Sequence, residues 1–134
     1  VFHELEVSSK KRFELIDITY EVERIVRESG VREGICLVYA PHATAAVVAN
    51  EHEAGLVQDI IEKVRELVPP GAGYLHDRID DNAHAHIASA IIGSARTFPV
   101  RDGRLVRGTW QNIFLLEMDG PRSRRRILVE VLGA

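Results

Sequence analysis

A single cysteine, Cys36, leaves this 134-residue chain unable to form an internal disulfide, so packing has to hold it together. A reducing interior is the expected setting. Cys36 lies in the strand-like run Gly34-Ile35-Cys36-Leu37-Val38-Tyr39, where a core thiol is expected rather than a nucleophile. No apolar stretch is long enough to span a bilayer, and no signal-peptide pattern opens the sequence at Val1-Phe2-His3-Glu4. A cytoplasmic location is therefore expected. Neither sign of charge dominates: 17 Lys and Arg stand against 20 Asp and Glu, for a net charge of -3. That balance argues against general nucleic-acid or membrane-surface binding. Internal repeats, low-complexity tracts and linkers are also missing, so one domain over residues 1–134 is expected, with a sizeable core.

Periodicity supplies the elements. Phe2 to Val7 and Phe13 to Ile16 read as short strands joined by the polar Ser8-Ser9-Lys10-Lys11-Arg12. Asp17 or Thr19 caps a helix whose apolar residues Ile18, Val22, Ile25 and Val26 fall at helical spacing, closed by Gly30. Strands follow at Ile35 to Tyr39 and Ala45 to Ala49. Asn50-Glu51-His52-Glu53 carries the side chains of a capping box, with Asn50 as cap, before a helix striped by Leu56, Ile60, Val64 and Leu67. Pro69-Pro70-Gly71 ends it. A third helix runs from about Asn82 to Ile92 and stops at Gly93. The last third reads as strands at Thr97 to Val100, Arg104 to Met118 and Arg126 to Leu132, with turns at Asp102-Gly103 and Asp119-Gly120. Strands outnumber helices without alternating with them, so the class is α+β.

What the sequence does hold is histidine. Tyr74-Leu75-His76-Asp77-Arg78-Ile79-Asp80-Asp81-Asn82-Ala83-His84-Ala85-His86 places three of the six histidines together, beside carboxylates and an amide. His42 sits among small residues in Ala40-Pro41-His42-Ala43-Thr44. Imidazole is the commonest ligand for borderline metals and the usual proton carrier near neutral pH, which points to metal or acid–base chemistry. No fixed zinc spacing such as His-Glu-x-x-His is present. Residues two apart on a helix point about 200° apart, so His84 and His86 share one ion only if the backbone there is extended. His3, on a terminal strand, and His52, on a charged helix face, are expected to be exposed and inert.

Other polar residues fit less readily into a structural role. Glu51 is not needed by the capping box, and a helix start after a histidine loop suits an anion. Asp59 has no apolar reason for its place. Trp110 in Gly108-Thr109-Trp110-Gln111 reads as a core or interface aromatic on a long strand. Arg122, in the basic run after Asp119, is a candidate phosphate anchor.

In order along the chain, His42-x-Thr44-Ala45, Asn50-Glu51, Asp59, Tyr74-x-His76, Asn82-Ala83-His84-Ala85-His86, Gly93, Pro99-Val100, Asp102-Gly103, Gly108-Thr109-Trp110-Gln111 and Asp119-Gly120-Pro121-Arg122 resemble the YjbQ-like family. Arg107, ahead of Gly108, stands where an apolar residue is expected. The resemblance implies a two-sheet β-sandwich with about three helices, assembled as a homotrimer, and a histidine-lined pocket suited to a metal such as zinc. It further implies a secondary thiamine-phosphate synthase activity, a transferase reaction joining a pyrimidine diphosphate to a thiazole phosphate. The expected catalytic residues are His42 and Glu51. Thr44, Asn50, Asp59 and Arg122 are expected to contact a small phosphorylated substrate. Three of His42, His76, His84 and His86 are expected to hold a divalent ion, zinc being the expected one. The alternatives are a metal-dependent hydrolase of a small phosphorylated or polar metabolite, and a non-catalytic metal- or metabolite-binding trimer.

Overall fold

The computed structural model describes residues 1–134. In chain order the elements are β1 (Phe2–Val7), β2 (Glu14–Asp17), α1 (Thr19–Ser29), β3 (Glu33–Tyr39), β4 (Ala45–Asn50), α2 (Ala54–Leu67), a 3-10 turn at Leu75–Arg78, α3 (Ala83–Ile92), β5 (Ala95–Arg101), β6 (Arg104–Leu105), β7 (Asn112–Glu117) and β8 (Arg125–Gly133). The strands make two antiparallel sheets, one ordered β1-β8-β3-β5-β6 and the other β2-β7-β4. The α+β class, the two sheets and the three helices are as expected. No helix is long and apolar enough to cross a membrane.

Alternation along the strands explains the sandwich. On β3, Cys36 and Val38 point inward while Ile35, Leu37 and Tyr39 point out. They meet Phe98 and Val100 of β5, Val129 and Val131 of β8, and Val47, Ile113 and Leu115 from the smaller sheet. Helix α1 adds Val22, Ile25 and Val26, all buried, to the same core. Burying each such side chain contributes about 1.5–3 kcal/mol. The other face of the smaller sheet offers Ala46, Leu116 and Met118 to Phe13 and to Ala85 and Ala88 of α3. Strand β7 is thus covered on both faces, and so its sequence is a continuous apolar run rather than an alternating one.

That run misleads a reading of the sequence alone. The expected strand Arg104 to Met118 is two strands in different sheets, β6 and β7, joined by a crossing loop over residues 106–111. In that loop the Gly108 N–H donates to Gln111 Oε1 (2.7 Å) and the Gln111 N–H to the Gly108 carbonyl (3.0 Å). Trp110 sits on the resulting turn, 70% exposed, and not on a strand. The segment after β7, expected to be a hairpin, is likewise a crossing from the smaller sheet to the larger, with a cis Gly120–Pro121 peptide. Asn50 does not cap α2, because β4 continues through it to pair with Asn112. Glu53 is the cap, its carboxylate accepting the Gly55 and Leu56 N–H groups. Nor is the stripe of α2 fully buried: Leu67 is exposed, and the half-buried side packed on the sheet carries Ile61, Val64 and Val68. Asp17 does serve α1, accepting the Thr19 N–H at 2.9 Å.

One polar cluster lies inside. Glu117 closes β7 fully buried and receives Arg125 Nε (2.9 Å) and Ser9 Oγ (2.7 Å). Arg125, the first residue of β8, also donates to Thr44 Oγ1 at 2.9 Å. Burial alone pushes the Glu117 carboxyl up, but hydrogen bonds from Arg125, Ser9 and the Asp119 N–H hold it below its ordinary value.

Removing one member of such a pair leaves a buried charge uncompensated. Arg125→Ala is expected to cost about 3–5 kcal/mol, read as a lower urea midpoint. Arg124→Ala, one residue away and exposed on Glu6, leaves the midpoint unchanged. Because the folded pKa values of Glu117 and Asp17 are both depressed, Asp17 to about 2, their stabilisation is complete above the unfolded carboxylate range. It is lost as pH falls from about 4.5 towards 2. Urea midpoints across that range check the sign: a midpoint that rises on acidification contradicts it.

Candidate functional site

The histidine tract does not gather into one centre. Asn82 precedes α3, so His84 and His86 lie in its first turn and point apart. His84 turns inward, 1% exposed, its ring 5.5 Å from that of Phe13. Its Nε2 lies 3.3 Å from the Met118 carbonyl, which fixes the proton there and leaves Nδ1 enclosed without a partner. Burial, with the Arg12 charge, holds its pKa below the usual histidine value. His86 turns outward to His76, with ring centroids 4.7 Å apart, and His76 Nε2 bonds to Asn82 Oδ1 at 3.2 Å. His42 accepts the Arg126 N–H on Nε2 at 2.9 Å, so that nitrogen is occupied, and burial and the Arg125 charge lower its pKa.

No three His, Cys, Asp or Glu side chains stand together as a metal-holding group. The expected set of three from His42, His76, His84 and His86 therefore does not fit a divalent ion within the chain, and no step is assigned to one.

Of the substrate residues expected alongside them, Thr44 and Arg122 are engaged within the fold. Thr44 is buried on Arg125. Arg122 gives Nη2 to Asp119 Oδ2 (2.6 Å) and Nε to the Asp119 carbonyl (3.0 Å), which ties down the crossing after β7. Asp119 also holds Arg12 (3.2 Å) and Asn82 (2.8 Å); burial raises its pKa, but the bonds from Asn82 and Arg122 prevail and keep it low. Asp59 is exposed on α2, and Asn50 Oδ1 accepts only the adjacent Glu51 N–H, at 2.8 Å. His42 and Glu51 flank opposite ends of β4, separated by about 17 Å of strand. A joint catalytic role within one chain is excluded by that distance.

Glu51 instead belongs to a groove at the far end of the sandwich. A cleft of about 520 Å3 is lined by Glu51, His52, Glu53, Thr109, Trp110 and Asn112. His52, expected to be an inert surface residue, is exposed but held: its Nδ1 lies 2.7 Å from Asp17 Oδ2, and its ring meets Phe114 edge-on at 5.2 Å. Asp17 ends β2 and also accepts Asn112 Nδ2 (2.7 Å) and Thr19 Oγ1 (2.6 Å). Burial raises the Asp17 carboxyl, yet the bonds from Thr19, Asn112 and His52 bring it to about 2, so it is ionised at any ordinary pH. A carboxylate only accepts, so the imidazole carries its proton on Nδ1 and is left with Nε2 for exchange. Glu51 is half-buried, and its carboxylate has no partner within the chain.

Two more cavities continue this cleft. One of about 330 Å3 shares Asn112 and reaches Glu23 and Arg107 past Asp17. Another of about 620 Å3 shares Thr109, Glu23 and Arg107 and adds Arg27 and Arg104. Sequence reading singled out Glu51 but placed Gly108–Gln111 on a strand and missed Asp17 and His52 as partners. They stand 35 residues apart, and only the pairing of β2 and β4 with β7 brings them together. The sequence carried no periodic signal for that contact.

Comparison with known proteins places the chain among relatives of like length. The family model described as UPF0047 protein YjbQ-like matches residues 3–134. A UPF0047 protein of Archaeoglobus fulgidus is 51% identical over 125 residues, covering 93% of this chain and 97% of the relative. The UPF0047 protein YugU of Bacillus subtilis is 39% identical, over 90% of this chain and 91% of its own. The crystal structure of a YbjQ-like protein from Sulfolobus solfataricus P2 superposes with a TM-score of 0.99 at 56% identity, over 100% of this chain and 97% of that one. A hypothetical protein from Aeropyrum pernix K1 gives 0.97 at 43% identity, over 100% and 99%. The match over nearly the whole chain and the shared fold show that the chain is a member of the YjbQ-like UPF0047 family.

Proposed function

We propose that this protein is an enzyme of small, phosphorylated metabolites that works by imidazole acid–base chemistry in the groove. The joining of a pyrimidine diphosphate to a thiazole phosphate is the specific reaction we assign to it. The observation that carries the reading is the Asp17–His52 pair, 2.7 Å apart, opening beside the unpartnered Glu51 into a cleft of about 520 Å3. An imidazole oriented by a permanently ionised carboxylate is a group built to move a proton at Nε2. Placed next to a departing diphosphate, its imidazolium form, which the Asp17 carboxylate stabilises, gives the Nε2 proton to the leaving oxygen as the C–O bond breaks and returns to the neutral ring, while Glu51 orients the incoming partner. Trp110 supplies an exposed aromatic face on which a heterocycle can stack. A water-activating role for Glu51 is the competing reading, because its carboxylate is free to accept a proton.

The same proposal includes self-association as a trimer. Its support is the outer face of the larger sheet, where Ile35, Leu37, Tyr39 and Leu132 are exposed. Light scattering at micromolar concentration is expected to give a mass near three chains, and a monodisperse monomer rejects this part.

The catalytic test follows pyrophosphate release from the pyrimidine diphosphate with the thiazole phosphate present. His52→Ala and Asp17→Asn are expected to lower the rate by about 10²–10⁴-fold and about 10-fold or more, respectively. His86→Ala, at the other end of the molecule, leaves it unchanged. The reverse pattern returns the chemistry to the histidine tract. Phosphoester hydrolysis without thiazole consumption, lost in Glu51→Gln, favours the water-activating reading. Absence of turnover with both substrates and a phosphoester panel overturns the enzyme reading.

A further inference from the structure

The widest part of the groove is not used by the acid–base pair. Arg27 projects from α1, Arg104 from β6 and Arg107 from the crossing loop, and all three line the cavity of about 620 Å3 with a single carboxylate, Glu23, among them. Arg107 is held by Glu23 at 3.3 Å and by the Gln111 carbonyl. Arg27 and Arg104 have no carboxylate partner and no side-chain hydrogen bond, although the chain pairs Arg24 with Glu28, Arg101 with Glu33, Arg124 with Glu6 and Arg126 with Glu4. Two unpaired guanidiniums brought from separate elements into one concavity repel each other, and a bound dianion removes that repulsion. Their planar forks match the oxygens of a phosphoryl group, with the Thr109 hydroxyl between them and the His52 cleft as a further donor. Arg107, standing where an apolar residue was expected, is accounted for as part of this wall.

We propose that the Arg27–Arg104–Arg107 cavity is a dianion subsite that takes the phosphate or diphosphate group of the ligand, leaving the rest of the molecule over Trp110 and His52. The direction of the ligand rests on the groove being the active site; the anion site itself stands on the arginines alone.

Calorimetric titration of the full chain with inorganic pyrophosphate tests it, with inorganic phosphate as the smaller probe. Saturable binding is expected, weakening as KCl is raised. Arg27→Ala and Arg104→Ala should each weaken it at least about tenfold, the loss expected for one charge-assisted hydrogen bond. Arg27→Lys and Arg104→Lys, which keep charge but not the fork, should fall between. Arg124→Ala should bind as the parent does. No saturable binding, or binding equally weakened by Arg124→Ala, overturns the subsite. Unaltered urea midpoints in the alanine variants exclude misfolding as the cause. If pyrophosphate binds as described while His52→Ala leaves turnover intact, the subsite stands and the acid–base assignment falls. If His52→Ala abolishes turnover but the arginine variants bind normally, the reverse holds.

Discussion

The buried contact between Glu117 and Arg125 organises the molecule, because three passages of chain from one sheet to the other depend on it. The β1-to-β2 passage contributes Ser9, the β3-to-β4 passage Thr44, and the β7-to-β8 passage the two charged residues themselves. All three passages occur at one end of the sandwich. A buried pair adds little net stability over an apolar substitute, but its hydrogen-bond geometry is demanding, and only one arrangement of the three segments satisfies it. That end is consequently sealed. The opposite end, where β4 and β7 begin to part beyond Asn50 and Asn112, has no such clasp and is where the groove opens.

Much of the architecture was legible in the sequence. The period of α1, the start of α3 at Asn82 and the alternation of β3 follow from local chemistry, and the structure keeps them. The failures share one cause, which is that local patterns do not report the second layer. Residues 112–118 read as part of one long strand because both faces are covered, so nothing in the pattern marks the change of sheet. Asn50 has the chemistry of a cap, yet pairing with Asn112 outweighs it and the helix begins later. Arg125 is indistinguishable in sequence from its neighbours Arg124 and Arg126. Only its inward register on β8 makes it the one that is buried.

The candidate site shows the same division. Clustering of histidines along the chain suggested a common centre, but a helix distributes neighbours around its axis: His84 is packed away and His86 meets His76 at the surface. The residue that does acquire a carboxylate partner is His52, from outside the tract. Proximity in sequence overstated what the tract shares in space, and the pairing of strands created a contact between residues that sequence treats as unrelated. Glu51 was singled out for want of a structural duty, and it has none in the folded chain.

The double coverage of β7 also sets how the molecule breathes. A central strand packed on both faces exposes its amides to solvent only when both layers separate, so its hydrogen exchange tracks opening of the whole domain. The crossing loop just ahead of it is held by a few exposed hydrogen bonds and opens on its own. The boundary between the two regimes falls between Gln111 and Asn112. Amides at Thr109 and Trp110 are therefore expected to exchange ahead of those on the strand that positions Asn112 beside Asp17.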